Sequence, residues 1–228
     1  MPREFFRSEY KYLISDPVAR MLDSRLSAVF QKDPFALEDG RYFIRSLYFD
    51  DLNSSAFFDK IAGVPDREKF RIRFYNQDLS FIQLEKKEKA GSRIRKTGER
   101  ITLEDAERIV RGDASFLLER KSPLLTEFAD RFQANRLRPL LFVDYRRTAY
   151  LYPVENLRIT LDEKIGAVRF RGDFLESLPA VPVLEPGRAV LEVKFDDFFP
   201  PLARDLLRDI PAQFTAVSKY CLSAEAMF

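Results

Sequence analysis

The chain has 228 residues with 38 Lys+Arg against 36 Asp+Glu, no histidine and one cysteine. Hydrophobic content of 46% and aromatic content of 14% exclude a disordered chain and provide for a core. A net charge of only +2 excludes a uniformly basic nucleic-acid binder, so any positive field must come from arrangement.

Residues 4–14 read as a strand that stops at Ser15, Asp16 and Pro17, a helix start with an oxygen-bearing cap and proline in the first turn. Val18, Met21, Leu22, Leu26 and Val29 then recur at helical spacing. Residues 41–50 alternate Tyr42, Ile44, Ser46 and Tyr48 against Phe43, Arg45, Leu47 and Phe49, which is strand periodicity. Residues 53–62 form a short helix carrying Phe57, Phe58 and Ile61. Strands follow at 69–75, 81–89 and 92–101, the last two joined at Ala90 and Gly91 as a hairpin. Thr102 opens a helix with an acidic first turn that ends at Gly112, and Ser122 and Pro123 open another to about Ala134. Strands return at 140–151, 157–162, 168–170 and 189–194. The proline-rich stretch 178–187 reads as a surface loop, Pro200 and Pro201 open a helix through Leu207, and a final helix covers 218–227. No repeat, low-complexity stretch or linker interrupts the pattern, so residues 1–228 are expected to form a single domain. The expected fold is α+β: an antiparallel sheet of about eight strands closed into a tunnel, with helices packed outside.

The missing histidine excludes a Ser-His-Asp triad, a histidine-based zinc site and imidazole acid–base chemistry. Cys221 has no histidine partner to activate it and no second cysteine to pair with, which fits a reducing compartment. No phosphate-binding glycine loop of the P-loop or dinucleotide type occurs. Charges break up the N-terminus where a signal peptide needs an apolar run, and no run approaches the ~20 apolar residues of a membrane span. The expectation is a soluble, cytoplasmic protein whose tools are Lys, Arg, Glu, Asp, Tyr and a metal held by oxygen ligands.

Six segments gather charge on one strand face and apolar side chains on the other. They run from Arg7 to Lys11, Lys69 to Arg73, Glu85 to Lys89, Tyr145 to Arg147, Leu157 to Asp162 and Leu191 to Lys194. One such strand is an ordinary solvated strand; six, mostly basic with a few glutamates, point to a charged lumen that holds a polyanion and a divalent metal. Arg7, Glu9 and Lys11 share a face of the first strand. Lys69, Arg71 and Arg73 repel one another on theirs, and an anion relieves that repulsion, with the arginine fork matching phosphate oxygens. Glu85, Lys87 and Lys89 repeat the pattern. Glu192 and Lys194 sit among Val190, Leu191, Val193 and Phe195, so this buried acid and base need each other, a metal or a ligand. Glu192 is accordingly read as a ligand to Mg²⁺ or Mn²⁺. Glu9 and Glu85 are either further metal ligands or structural partners of nearby cations. Tyr145, Arg147 and Arg158 form a further group. Ser218, Lys219 and Tyr220 open the last helix, where a phosphate site competes with a plain helix cap. On the hairpin's return strand, Lys96 and Arg100 oppose Arg93 and Arg95, and the phase between them stays open.

Taken in chain order, the segments around Glu9 and Lys11, Arg45 to Asp50, Arg71 to Tyr75, Glu85 to Lys87, Tyr145 to Ala149, Arg158 to Asp162, Glu192 to Lys194 and Ser218 to Tyr220 resemble a known family. It is the polyphosphate polymerase domain of the vacuolar transporter chaperone (VTC) complex, a triphosphate tunnel metalloenzyme. The resemblance spans nearly the whole chain. It implies an eight-stranded tunnel in which the γ-phosphate of ATP is transferred to a growing inorganic polyphosphate chain with Mn²⁺ or Mg²⁺. It further implies that Lys11, Arg71, Arg73, Lys87, Arg147, Arg158 and Lys219 grip phosphates, that Lys194 stands beside Glu192, and that Glu192 holds the metal; Glu9 is the candidate second ligand read from the residues themselves. Tyr145 and Ser218 would hydrogen-bond phosphate oxygens, with Lys69, Glu85, Lys89 and Tyr220 completing the substrate-binding set. A terminal phosphate can itself be the nucleophile, so no catalytic base is needed; water in its place makes the same site a triphosphatase. A non-catalytic polyphosphate binder is the third reading, disfavoured by Glu192. Nucleic acid is not an expected partner. The family's eukaryotic subunits carry an inositol-phosphate-sensing domain and membrane segments that this sequence lacks, which makes a membrane-protein partner, not membrane insertion, the expectation.

Overall fold

The computed structural model describes residues 8–91, 93–134, 136–176 and 178–227. In chain order these form β1 (Ser8–Ser15), α1 (Asp16–Ser27), β2 (Gln31–Lys32), β3 (Arg41–Asp50), α2 (Ser55–Ile61), β4 (Arg67–Tyr75), β5 (Asp78–Ala90) and β6 (Arg93–Ile101). There follow α3 (Leu103–Val110), α4 (Pro123–Ala134), β7 (Arg138–Tyr152), β8 (Leu157–Arg169), β9 (Val181–Pro182), β10 (Arg188–Phe195), α5 (Pro201–Leu206), β11 (Gln213–Phe214) and α6 (Lys219–Glu225), with 3₁₀ turns at Ser115–Glu119 and Val154–Asn156. The start of α3 follows from its capping box. The Asp105 N–H donates to Thr102 Oγ1, and the Thr102 N–H donates back to the Asp105 carboxylate.

The fold is α+β, and every pairing with a described register is antiparallel. Among the described residues the sheet has eleven strands, not the expected eight or so, in the order β11-β1-β10-β8-β7-β3-β4-β5-β6, with β2 on β7 and β9 on β8. Three of them, β2, β9 and β11, are two residues long, too short to carry a hydrophobic period that sequence could reveal. Among the described residues this order is an open path from β11 to β6, so the expected closure is not among the pairings. The strands expected at 157–162 and 168–170 are one strand, β8; Lys164, at φ 52 and exposed, interrupts the alternation without ending the strand. The expected strand residues 4–7, including Arg7, and Ser92 of the return strand lie outside the described residues.

The chain divides into two compact units. The first joins the segment ending at Phe43 to Tyr145–Ile165 and Pro182–Ser218; the second joins Ile44–Asp144 and Gly166–Val181 to the segment from Lys219 onward. In the first unit, Ile14, Leu157, Ile159, Leu161, Leu191, Val193 and Phe195 pack one strand face against Val18, Leu22 and Leu26 of α1 and Ala203 of α5. In the second, Leu47, Phe49, Phe70, Ile72, Phe74, Ile82 and Leu84 pack against Ala106 and Ile109 of α3 and Leu125 and Phe128 of α4. Phe128 is fully buried, with its ring edge-on to Phe49 at 5.3 Å and to Phe70 at 5.4 Å. Each side chain of this size contributes roughly 1.5–3 kcal/mol on burial. Because alternate residues of a strand point to opposite faces, committing these apolar positions to the helices sends the intervening charged ones to the other face. Among the described residues no helix is long and apolar enough to cross a membrane.

Candidate anion and metal site

In the second unit, strand register turns three separate charges into a row. Lys69 of β4 lies opposite Lys87 of β5, which lies opposite Lys96 of β6. Residues directly opposite share a face with Cβ atoms ~4.5–5.5 Å apart, and like charges so placed repel. Arg71 in the next row pairs with Glu85, Nε to Oε2 at 2.6 Å, and Lys96 Nζ reaches the other oxygen of Glu85 at 2.5 Å. Arg73 donates to Ser46 Oγ at 2.9 Å, and Arg71 Nη1 donates to the Tyr48 hydroxyl at 2.9 Å. Glu85 is 1% exposed and Arg73 6%. This is a concentration of fixed positive charge that the fold holds despite its self-repulsion, and Glu85 is its internal counter-ion.

The titration of these groups follows from that geometry. Burial raises the Glu85 pKa, but Arg71, Arg73 and Lys96 outweigh it and bring it down to about 2. Burial lowers that of Lys96, Glu85 opposes the fall and Arg71 adds to it, leaving it at about 8. Burial alone would push Tyr48 up; the positive charges of Arg71, Arg73 and Lys69 overcome it and bring the phenol down to about 7.

In the first unit three rows cross β1, β10 and β8. Glu9, Lys194 and Arg158 form one; Lys11, Glu192 and Thr160 form the next; Leu13, Val190 and Asp162 form the third. Lys11 Nζ lies 2.5 Å from Glu9 and 3.9 Å from Glu192, and it donates to the Val217 carbonyl at 3.4 Å. Lys194 pairs with the other side of Glu192. Arg147 is clamped by Asp162 through two bonds, Nε to Oδ1 at 2.6 Å and Nη2 to Oδ2 at 2.7 Å, with its guanidinium 5.3 Å from the Tyr145 ring centre. Arg158 Nη2 donates to Asp33 Oδ2 at 2.8 Å and to the Tyr42 hydroxyl at 2.6 Å.

The expected residues therefore fall into two sets. Glu9, Lys11, Tyr145, Arg147, Arg158, Glu192 and Lys194 belong to the first unit's charged face. Lys69, Arg71, Arg73, Glu85 and Lys87 belong to the second's, with Lys89 two residues further along the same face of β5, opposite Arg67. Lys219 opens α6 as expected, after Ser218. Tyr220 is 1% exposed, its hydroxyl donates to Asp50, and it meets the basic row through its ring, 5.4 Å from Lys69 Nζ. The open choice on the return strand resolves by register: Lys96 joins Lys87 and Glu85, while Arg95 pairs with Glu88 on the other face, Nη2 to Oε2 at 2.9 Å. Sequence reasoning missed Tyr48, Asp162 and Asp33. Tyr48 and Asp162 follow the strand period and were findable; Asp33, just beyond β2, carried no signal.

Among the described residues no three acidic or thiol side chains converge as a complete metal cage. The donor set nevertheless suits a hard cation. Glu9 and Glu192 reach the same lysine from neighbouring strands, and among the described residues the buried Thr160 hydroxyl beside Glu192 has no hydrogen-bond partner. Mg²⁺-type sites commonly use one or two carboxylates and complete the shell with water and substrate phosphate.

Three solved structures share this fold, all at identities too low to carry more than the fold. HpAC1 of Hippeastrum, an adenylyl cyclase candidate with a dominant triphosphatase activity, is 20% identical with a TM-score of 0.60 over 97% of this chain and 96% of that one. An adenylate cyclase candidate of Bacillus halodurans is 14% identical, with a TM-score of 0.52 over 90% and 87%. The PH1819 protein of Pyrococcus horikoshii is 13% identical, with a TM-score of 0.50 over 97% and 99%. Nothing among curated proteins matches. The family model described as VTC domain matches residues 6–228, the stretch that carries every charged strand described above, and the chain belongs to that family.

Proposed function

We propose that this chain is a metal-dependent polyphosphate polymerase of the cytoplasm, acting as a single domain and transferring the γ-phosphate of ATP to an inorganic polyphosphate chain. The closed tunnel of the resemblance is part of the proposal. The observation that carries it is the row Lys69, Lys87 and Lys96 beside Arg71 and Arg73, a concentration of cations gathered around the buried Glu85 that suits a multiply charged anion.

Phosphoryl transfer asks little covalent chemistry of a protein; it asks for alignment and for neutralisation of charge on the transferred group. Arg71 and Arg73 present forks to phosphate oxygens, and their bonds to Glu85, Tyr48 and Ser46 fix those forks in advance. Arg147, held rigid by Asp162, and Arg158, held by Asp33 and Tyr42, do the same in the first unit. Glu192 and Glu9 would hold Mn²⁺ or Mg²⁺, which supplies Lewis-acid polarisation of a phosphate oxygen when bound. Lys11 and Lys194 are the ammonium groups that neutralise these carboxylates otherwise.

A triphosphatase is the second reading, favoured by the dominant triphosphatase activity of HpAC1, which shares the fold. The two differ in the acceptor: a polymer terminus or water. Incubation with ATP and Mn²⁺ followed by ³¹P NMR separates them. Growth of internal-phosphate resonances with ADP is the expected result, and orthophosphate alone selects the hydrolase. Glu192→Gln should abolish metal-dependent turnover while tripolyphosphate still binds; unchanged turnover would sink the metal assignment.

A further inference from the structure

Thr160 is 2% exposed, and its side-chain oxygen has no hydrogen-bond partner among the described residues. It lies between Arg158 and Asp162 on the charged face of β8, directly across from Glu192 of β10. Both neighbours are committed elsewhere, Asp162 to Arg147 and Arg158 to Asp33 and Tyr42. An unpaired buried hydroxyl costs about 1–3 kcal/mol of lost hydration, and native structures contain few of them. Valine, with the same branched shape, would fill the position at no such cost. The hydroxyl stands within a cross-strand step of the carboxylate read as the metal ligand.

We propose that Thr160 is a third protein oxygen of the cation site, engaging water bound to the ion that Glu192 holds. This rests on the reading of Glu192 as a metal ligand. The geometry supports an indirect contact: opposite residues of an antiparallel pair have Cβ atoms ~4.5–5.5 Å apart, so one water spans hydroxyl and ion while the longer glutamate reaches the ion itself. Partners of this kind orient ligands and retain water, and their loss typically weakens metal affinity about 10–100-fold.

The test is Mn²⁺ titration of the full chain without nucleotide, read by the electron paramagnetic resonance of free Mn²⁺. Thr160→Val should weaken Mn²⁺ binding about 10–100-fold, and Thr160→Ser should restore it to near wild type. Thr160→Ala serves as the second deletion if the valine variant does not fold. Wild-type affinity in the deletions, with binding lost in Glu192→Gln, overturns the role of Thr160 and leaves Glu192 in place. Undiminished binding in Glu192→Gln overturns both assignments. Equal weakening in the serine and valine variants, with a matching fall in melting temperature, reduces Thr160 to a packing residue.

Discussion

Asp162→Asn isolates the clamp on Arg147. Asp162 is completely buried and Arg147 is 9% exposed, joined by two bonds of 2.6 and 2.7 Å. Burial alone would lower the Arg147 pKa; Asp162, then Tyr145 and Glu192, hold it above its ordinary value. Removing the carboxylate charge leaves a buried guanidinium facing a neutral amide. Breaking one partner of a buried pair costs about 3–5 kcal/mol. For a chain of this size each kcal/mol moves the melting temperature by ~2–4 °C, which gives a fall of roughly 6–20 °C. Because Glu192 still attracts Arg147, the lower half of that range is expected. Thermal melting followed by circular dichroism measures it. The double variant Arg147→Met with Asp162→Leu should regain most of the stability, since apolar residues of similar volume often replace a buried pair without loss. A single-variant melting temperature within ~2 °C of wild type would refute the reasoning, because an uncompensated buried charge cannot be that cheap.

The basic face of the second unit yields two further tests. Arg71→Ala with Arg73→Ala should weaken tripolyphosphate binding steeply in calorimetry, about 10–100-fold for each charge-assisted bond of ~1.5–3 kcal/mol; unaltered affinity would remove both from the site. Tyr48 should ionise near neutrality, at about 7, visible as a phenolate absorbance step that Tyr48→Phe removes. The sign is that of a depressed acid: the stability it lends is complete above the ordinary phenol pKa of ~10 and lost as pH falls through about 7. Bound tripolyphosphate should raise the midpoint by offsetting the charge of Arg71, Arg73 and Lys69, and a step that survives Tyr48→Phe belongs to another group.

Much of the site was legible because strand alternation is a local property. Period two alone put Lys69, Arg71 and Arg73 on one face, Glu192 and Lys194 together, and Phe70, Ile72 and Phe74 on the opposite side, where the structure packs them against α3 and α4. The family was legible too, because the charged segments lie in one order along the chain and the family model spans them, matching residues 6–228.

Register was not legible, and register decides chemistry, since a slip of one residue moves every side chain to the other face. Nothing in the sequence says that Lys96, not Arg95, stands beside Lys87, that Arg147 reaches Asp162, or that Thr160 faces Glu192. Nor does it show that the Tyr220 hydroxyl is taken by Asp50, which lies 170 positions away in the chain. Sequence by itself determined the strand faces, the absence of histidine chemistry and the family. Tertiary structure alone decided which charges neutralise one another and which remain crowded, because those pairings form between strands distant in sequence, where periodicity carries no information.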